Sequence, residues 1–106
     1  MPKVRLGYSE DEYRRKVEAG QWQAHQFEHG FLITEIMQYA EERVLTVHLL
    51  GGKNFKEWKA EADERLRSFA VANGCVAIEA VCRLGLEKSL IDLGYKRSRV
   101  LMRKPV

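Results

Sequence analysis

The sequence has no apolar run near the ~20 residues that a membrane helix needs, so no spanning helix is expected. Its first stretch, Met1 to Glu12, is charged and lacks an apolar h-region, so no secretory signal is expected. Cysteine is scarce, with only Cys75 and Cys82. They lie seven positions apart in or beside one strand-like stretch. Odd spacing on a strand points side chains to opposite faces, which argues against a mutual disulfide. Two buried thiols in a reducing cytoplasm is the plain reading. Internal repeats, linkers, low-complexity segments and Ser–His–Asp or Cys–His patterns are absent. His25 and His29 are four apart, a spacing that suits a metal only on a helix. On a strand it spreads the rings by about 13 Å. With no Cys or acid at ligand spacing, no metal site is expected.

What is present describes one globular domain of 106 residues, 45% hydrophobic and 31% charged. A chain of this size buries a real core but has little room for a large enclosed site. The net charge is +3. Lys96, Arg97, Arg99, Arg103 and Lys104 crowd the C-terminal end, and Arg14, Arg15 and Lys16 form a second group. Such clusters meet phosphates or an acidic partner, or they keep an edge strand soluble. No aromatics interleave them as on a single-strand-binding surface, which favours the solubilising role over nucleic-acid binding.

The periodicities mark the elements. Ser9 with Glu12 is a capping-box pattern and Gly20 suits a stop, so a helix is expected near 10–19. Strands are expected near 22–28, 31–38 and 43–50, with short breaks that suggest antiparallel hairpins. Phe55, Trp58, Ala62, Leu66, Phe69 and Ala70 recur at three- and four-residue steps, one face of a helix near 54–73. Its other face carries Glu61–Arg65 and Asp63–Arg67 at helical pair spacing. Asn73-Gly74 ends it. A buried strand near 75–81, a short helix stopped by Gly94, and a last strand near 95–103 complete the order αβββαβαβ. This is an α+β fold: a mixed sheet in which antiparallel hairpins join a parallel βαβ unit, with helices packed on the sheet.

Three features invite chemistry. The stretch VHLLGGKNFKEW runs from a strand through Gly51, Gly52, Lys53 and Asn54 into a helix, the arrangement that cradles phosphates at free backbone N–H groups. It is not a Walker loop, because no glycine sits five residues before the Gly-Lys pair and Asn54 stands where Ser or Thr is needed. Asn54 as a simple N-cap is the alternative. Glu35 sits on an otherwise apolar strand face and is a candidate general base; an edge position open to water is the alternative. His48 is the third. If Gln38 pairs with Arg43, Glu35 lies opposite Thr46 with His48 diagonal on the same face, and a slip of one residue destroys this.

From Trp58 onward the sequence resembles the C-terminal half of the GNAT acyltransferase superfamily. The resemblance rests on Phe69-Ala70, Asn73-Gly74, the strand from Cys75 to Val81, and Leu93-Gly94-Tyr95, and it extends over roughly 22–104. Trp58, Cys75, Arg83 and Gly94-Tyr95 together look like short GNAT-like proteins from phage genomes. The resemblance implies acetyl-CoA in a V between two splayed parallel strands, here 43–50 and 75–81. Leu49, Leu50, Gly51, Gly52, Lys53 and Asn54 would line the cofactor path, and Arg83, where the family has asparagine, would contact a phosphate or ribose. The family's tyrosine, which protonates the leaving thiolate, falls on Leu90. The loop lacks the family's usual wording.

Two functions are therefore expected as alternatives. One is acetyl transfer to an unidentified amine, with Glu35 as base, through water or with His48, in a cytoplasmic protein. The other is a non-catalytic module that assembles with itself or with phage virion proteins. DNA binding through Arg97, Arg99, Arg103 and Lys104 is a weaker third.

Overall fold

The computed structural model describes residues 9–80, 84–98, 102, 104 and 105. Among these lie three helices, α1 (Glu10–Glu18), α2 (Phe55–Ala72) and α3 (Leu84–Asp92), and four strands, β1 (Gln23–Gln26), β2 (Gly30–Gln38), β3 (Arg43–Gly52) and β4 (Ala77–Ala80). The strands form one sheet in the order β1-β2-β3-β4. The first three are antiparallel, and β3 and β4 are parallel, joined through α2. This is the expected mixed sheet.

Helix α1 begins with a full capping box: the Ser9 hydroxyl accepts from the Glu12 N–H and the Glu12 carboxylate accepts from the Ser9 N–H, both at 3.2 Å. It packs Tyr13 and Val17 on Trp22, Ile33, Leu49 and Phe31 on one face of the sheet. Helix α2 covers the other face, where Trp58, Ala62, Leu66 and Ala70 meet Leu32, Leu45, Val47 and Phe27. Alternation along β2 explains the division: Phe31 and Ile33 go one way, Leu32 and Ile36 the other. The Glu61–Arg65 pair forms at 3.1 Å. The Arg65 guanidinium also lies 3.9 Å over the Phe27 ring and donates to the Gln26 carbonyl.

Several boundaries differ from expectation, each for a tertiary reason. Strand β1 starts after Trp22, whose N–H donates back to Lys16 of α1. It ends before Phe27, whose ring leaves the sheet to stack on Trp58 at 5.1 Å. Strand β4 starts two residues late, because the Cys75 N–H closes the end of α2 on the Ala70 carbonyl. Cys75 is a free thiol packed against the larger core cluster, and Cys82 lies outside the described residues. The expected last strand is not formed over 95–98, and most of its remainder lies outside the described residues. There the Tyr95 N–H closes α3 on the Leu90 carbonyl, and Arg97 pairs with Glu87.

Candidate functional site

The site grows from an irregularity in β3. Gln38 pairs with Arg43, which meets the condition set in the sequence, and Glu35 with Thr46, but Thr34 then pairs with Val47 and Ile33 with Leu49. His48 is the extra residue of a bulge, and such an insertion re-aims side chains. His48 and Leu49 consequently lie on the same face: the His48 ring stacks on Trp22 at 4.1 Å, and Leu49 joins the cluster of Trp22 and Ile33. Glu35 reaches His48 from β2, with Oε1 2.7 Å from Nε2. An ionised carboxylate only accepts, so Nε2–H is the donor. The His48 side chain is 11% exposed and the Glu35 side chain 28%, so the carboxylate is the more accessible member of the pair. Across the sheet, Glu35, Thr46 and Glu79 form one row, and the Tyr39 hydroxyl donates to Glu79 Oε1 at 3.3 Å.

On the α2 side a cleft opens beside the C-terminal part of β3. The last described pair between β3 and β4 is Val47 with Ala80, while β3 continues to Gly52. The cleft measures about 500 Å³ to its open mouth. Leu50 and Phe55 form one wall, Leu86 and Leu90 of α3 with Leu93 just after it the other, and His48 and Leu49 also contribute. Lys59 of α2 and Asp92 of α3 tie the two helices together at 3.2 Å. Among the described residues, the cleft's polar side chains besides His48 are Asp63 and Tyr95, which the sequence alone did not assign to a site. Burial, and then the Asp63 charge, push the Tyr95 phenol up to about 12, so it stays protonated at neutral pH. The only sequence signal for it is its place after Gly94 in the Leu93-Gly94-Tyr95 motif.

Of the residues expected on the cofactor path, Leu49 and Leu50 line the cleft, whereas Gly51, Gly52, Lys53 and Asn54 are not among its described lining residues. Arg83 lies outside the described residues. The reading of GGKN as a turn with free, outward N–H groups needs correction at Lys53. Lys53 N–H donates to the His29 carbonyl at 2.9 Å, because the β2–β3 hairpin stays paired as far as Gly30 with Gly52. The Lys53 carbonyl accepts from Trp58 Nε1 at 2.7 Å. Asn54 is the N-cap of α2 but adopts left-handed φ 53° and makes no side-chain capping bond. The glycines answer to packing: a Cβ at Gly51 would fall 2.4 Å from the Phe31 ring, and one at Gly52 2.3 Å from the His29 carbonyl oxygen.

His25 belongs to a separate buried network. Its Nε2 lies 2.8 Å from the hydroxyl of fully buried Thr34, which donates to Gln23 Oε1 at 3.0 Å, and its ring meets Phe69 edge-on. Desolvation first, and the nearby Arg65 charge second, lower its pKa from the ordinary 6.5. The folded state therefore takes up fewer protons than the unfolded chain as pH falls through about 6.5, and stability drops in that direction. Tm is expected to fall more between about pH 7.5 and 5.5 in the native protein than in His25→Gln, which keeps a bond to Thr34. Equal slopes in the two melting series would refute this. Among the described residues, no three His, Cys, Asp or Glu side chains gather as a metal ligand set.

No protein-family model and no curated protein matches the sequence. Solved structures do match its fold. A glucosamine-6-phosphate N-acetyltransferase from Arabidopsis thaliana superposes with a TM-score of 0.66 at 12% identity, over 96% of this chain and 82% of that one. A putative acetyl transferase from Pyrococcus furiosus gives 0.65 at 16% identity, over 97% and 83%. An acetyltransferase from Trypanosoma brucei gives 0.66 at 10% identity, over 91% and 77%. At such identities the likeness establishes the fold, which is that of the GNAT acetyltransferases.

Proposed function

We propose that this GNAT fold transfers an acetyl group from acetyl-CoA to an amine, with Glu35 as the general base and His48 as the residue that positions it. The observation that carries the proposal is the 2.7 Å Glu35–His48 bond at the bulge, directly beyond the last described β3–β4 pair. His48 belongs both to the cleft lining and to this pair, so it links the cleft to the acid row on the opposite face. The cleft fits the flexible arm of the cofactor: it is open, largely apolar, and walled by Leu50, Phe55, Leu86, Leu90 and Leu93. When bound there, the thioester supplies an activated acetyl group.

The chain's own residues do the rest. Glu35 and Glu79 on one row attract a cationic amine. His48 holds Glu35 Oε1, so Oε2 is the atom that takes the proton from the attacking nitrogen. The Trp22 ring beneath His48 fixes the imidazole plane.

Acetyl-CoA at about 1 mM is expected to raise Tm, because a ligand that binds only the native state stabilises it by mass action. Thiol release in a screen of primary amines is expected to identify the acceptor. A Tm unmoved by millimolar acetyl-CoA would end this reading.

A further inference from the structure

The basic group Arg14, Arg15 and Lys16 has no part in acyl transfer as derived so far. The fold treats the three differently. Arg14 and Arg15 are exposed, whereas Lys16 is half-buried. The Lys16 carbonyl accepts from the Gln21 and Trp22 N–H groups at 3.0 and 3.2 Å, so the chain reverses and returns Trp22 to the Lys16 side chain. The Lys16 ammonium lies 5.3 Å from the centre of the Trp22 ring, and that ring stacks on His48 at 4.1 Å. His48 in turn holds Glu35 at 2.7 Å. A cation, two aromatic rings and a carboxylate thus follow one another on the face of the sheet that carries the base.

The cation at the head of this series is not neutralised. Glu12 stands four residues before Lys16 on α1, the natural place for an ion-pair partner. Its carboxylate is engaged instead by the Ser9 N–H and hydroxyl. Among the described residues Lys16 Nζ has one hydrogen bond, to Gln21 Oε1 at 3.5 Å, and no carboxylate at ion-pair distance. The dipole at the end of α1 does not require this placement, because Arg15 in the same turn also supplies a charge there. A lysine that serves solubility alone extends its charge into water. This one lies over a buried ring.

The arrangement complements a molecule with charges of both signs. Its ammonium is drawn to the Glu35 carboxylate and its anion to Lys16, with the spacer lying along the stacked rings. Charges on adjacent carbons do not span two rings, so the anion stands well away from the amine. Resting on the acyl-transfer reading above, we propose that Lys16 is an anion-binding subsite for the acceptor, and that the acceptor is an amine with a distal carboxylate or phosphate. Lys16 determines specificity and touches no reacting atom.

Thiol release from acetyl-CoA tests this with three probes on one chain length: aminocaproate, aminohexyl phosphate and hexylamine. They carry a carboxylate, a phosphate and no anion. The better of the two anionic amines is expected to exceed hexylamine in kcat/KM by about fivefold or more, the effect of one charge-assisted contact at a half-exposed site. Which of the two is better identifies the anion. Lys16→Met keeps an unbranched side chain over Trp22 and removes the charge. It is expected to raise KM for that probe about fivefold to tenfold, mostly without loss of kcat, and several times more than for hexylamine. Lys16→Arg is expected to restore most of the difference.

A thermal melt confirms that Lys16→Met is folded; were it not, the native ratio of the probes alone decides. Hexylamine used as well as both anionic amines would overturn the inference and leave the acyl-transfer reading standing. Equal losses for all three probes in Lys16→Met would do the same, and would leave Lys16 as a support for Trp22. So would failure of all three as acceptors while acetyl-CoA still raises Tm. If acetyl-CoA does not move Tm, both readings fall together.

Discussion

Gly52→Ala is expected to lower Tm by about 12 °C or more, while Gly20→Ala lowers it by only about 4–8 °C. Both glycines have positive φ, +122° at Gly52 and +78° at Gly20, so each alanine carries backbone strain of roughly 1 kcal/mol. They differ in surroundings. An alanine Cβ at Gly20 meets nothing within 4 Å, whereas at Gly52 it would fall 2.3 Å from the His29 carbonyl oxygen and 2.4 Å from Gly30 Cα. Both obstacles are backbone and cannot swing aside. Overpacking of this kind adds about 1–3 kcal/mol. The hairpin end must also open, and the Lys53–His29 bond goes with it. Parallel thermal melts of the two variants check the difference. Equal losses would mean that the diglycine is not held by hairpin packing, and would return it to the role of a free turn.

Glu35→Gln is expected to reduce turnover by roughly 10²–10⁴-fold once an acceptor amine is in hand, the range for loss of a general base. The substitution is isosteric, and the amide still bonds His48, so the melting temperature should move little. Binding of CoA should not change, because Glu35 is not among the residues that line the cleft. A loss of rate with intact binding and intact folding is the signature of removed proton acceptance. Turnover within threefold of the native protein would remove Glu35 from the mechanism and leave the 2.7 Å bond to His48 as a structural contact.

How much of this was legible before the fold was seen varies from residue to residue. The partnership of Glu35 with Thr46 was legible once Gln38 is paired with Arg43, because FLITEIMQ is rich in strand formers and AEE is too short for anything but a tight reversal. The bulge was not. Nothing in Val47-His48-Leu49 distinguishes an inserted residue from a paired one, yet the insertion puts His48 and Leu49 on one face and aims the imidazole at Glu35. The position of the glycine turn before a helix was legible as well. Its purpose was not, because the atoms that require glycine at 51 and 52 belong to Phe31, His29 and Gly30, about twenty residues earlier. Asp63 reads as the start of a helix ion pair with Arg67, but it lines the cleft instead.

By itself the sequence determined the elements as far as α3, their order, the β2–β3 register up to the bulge and the mixed sheet. These follow from periods of two and of about three and a half, from caps, and from loop lengths, all of which are local properties of the chain. Only the tertiary structure decided what the elements enclose. Docking α3 against α2, with Lys59 on Asp92, sets Tyr95 and Asp63 in one cleft. Pairing β3 as far as Gly52 takes the Lys53 N–H from the turn. A site is made of residues distant in the chain, and their meeting depends on packing and on which backbone donors the sheet has already used.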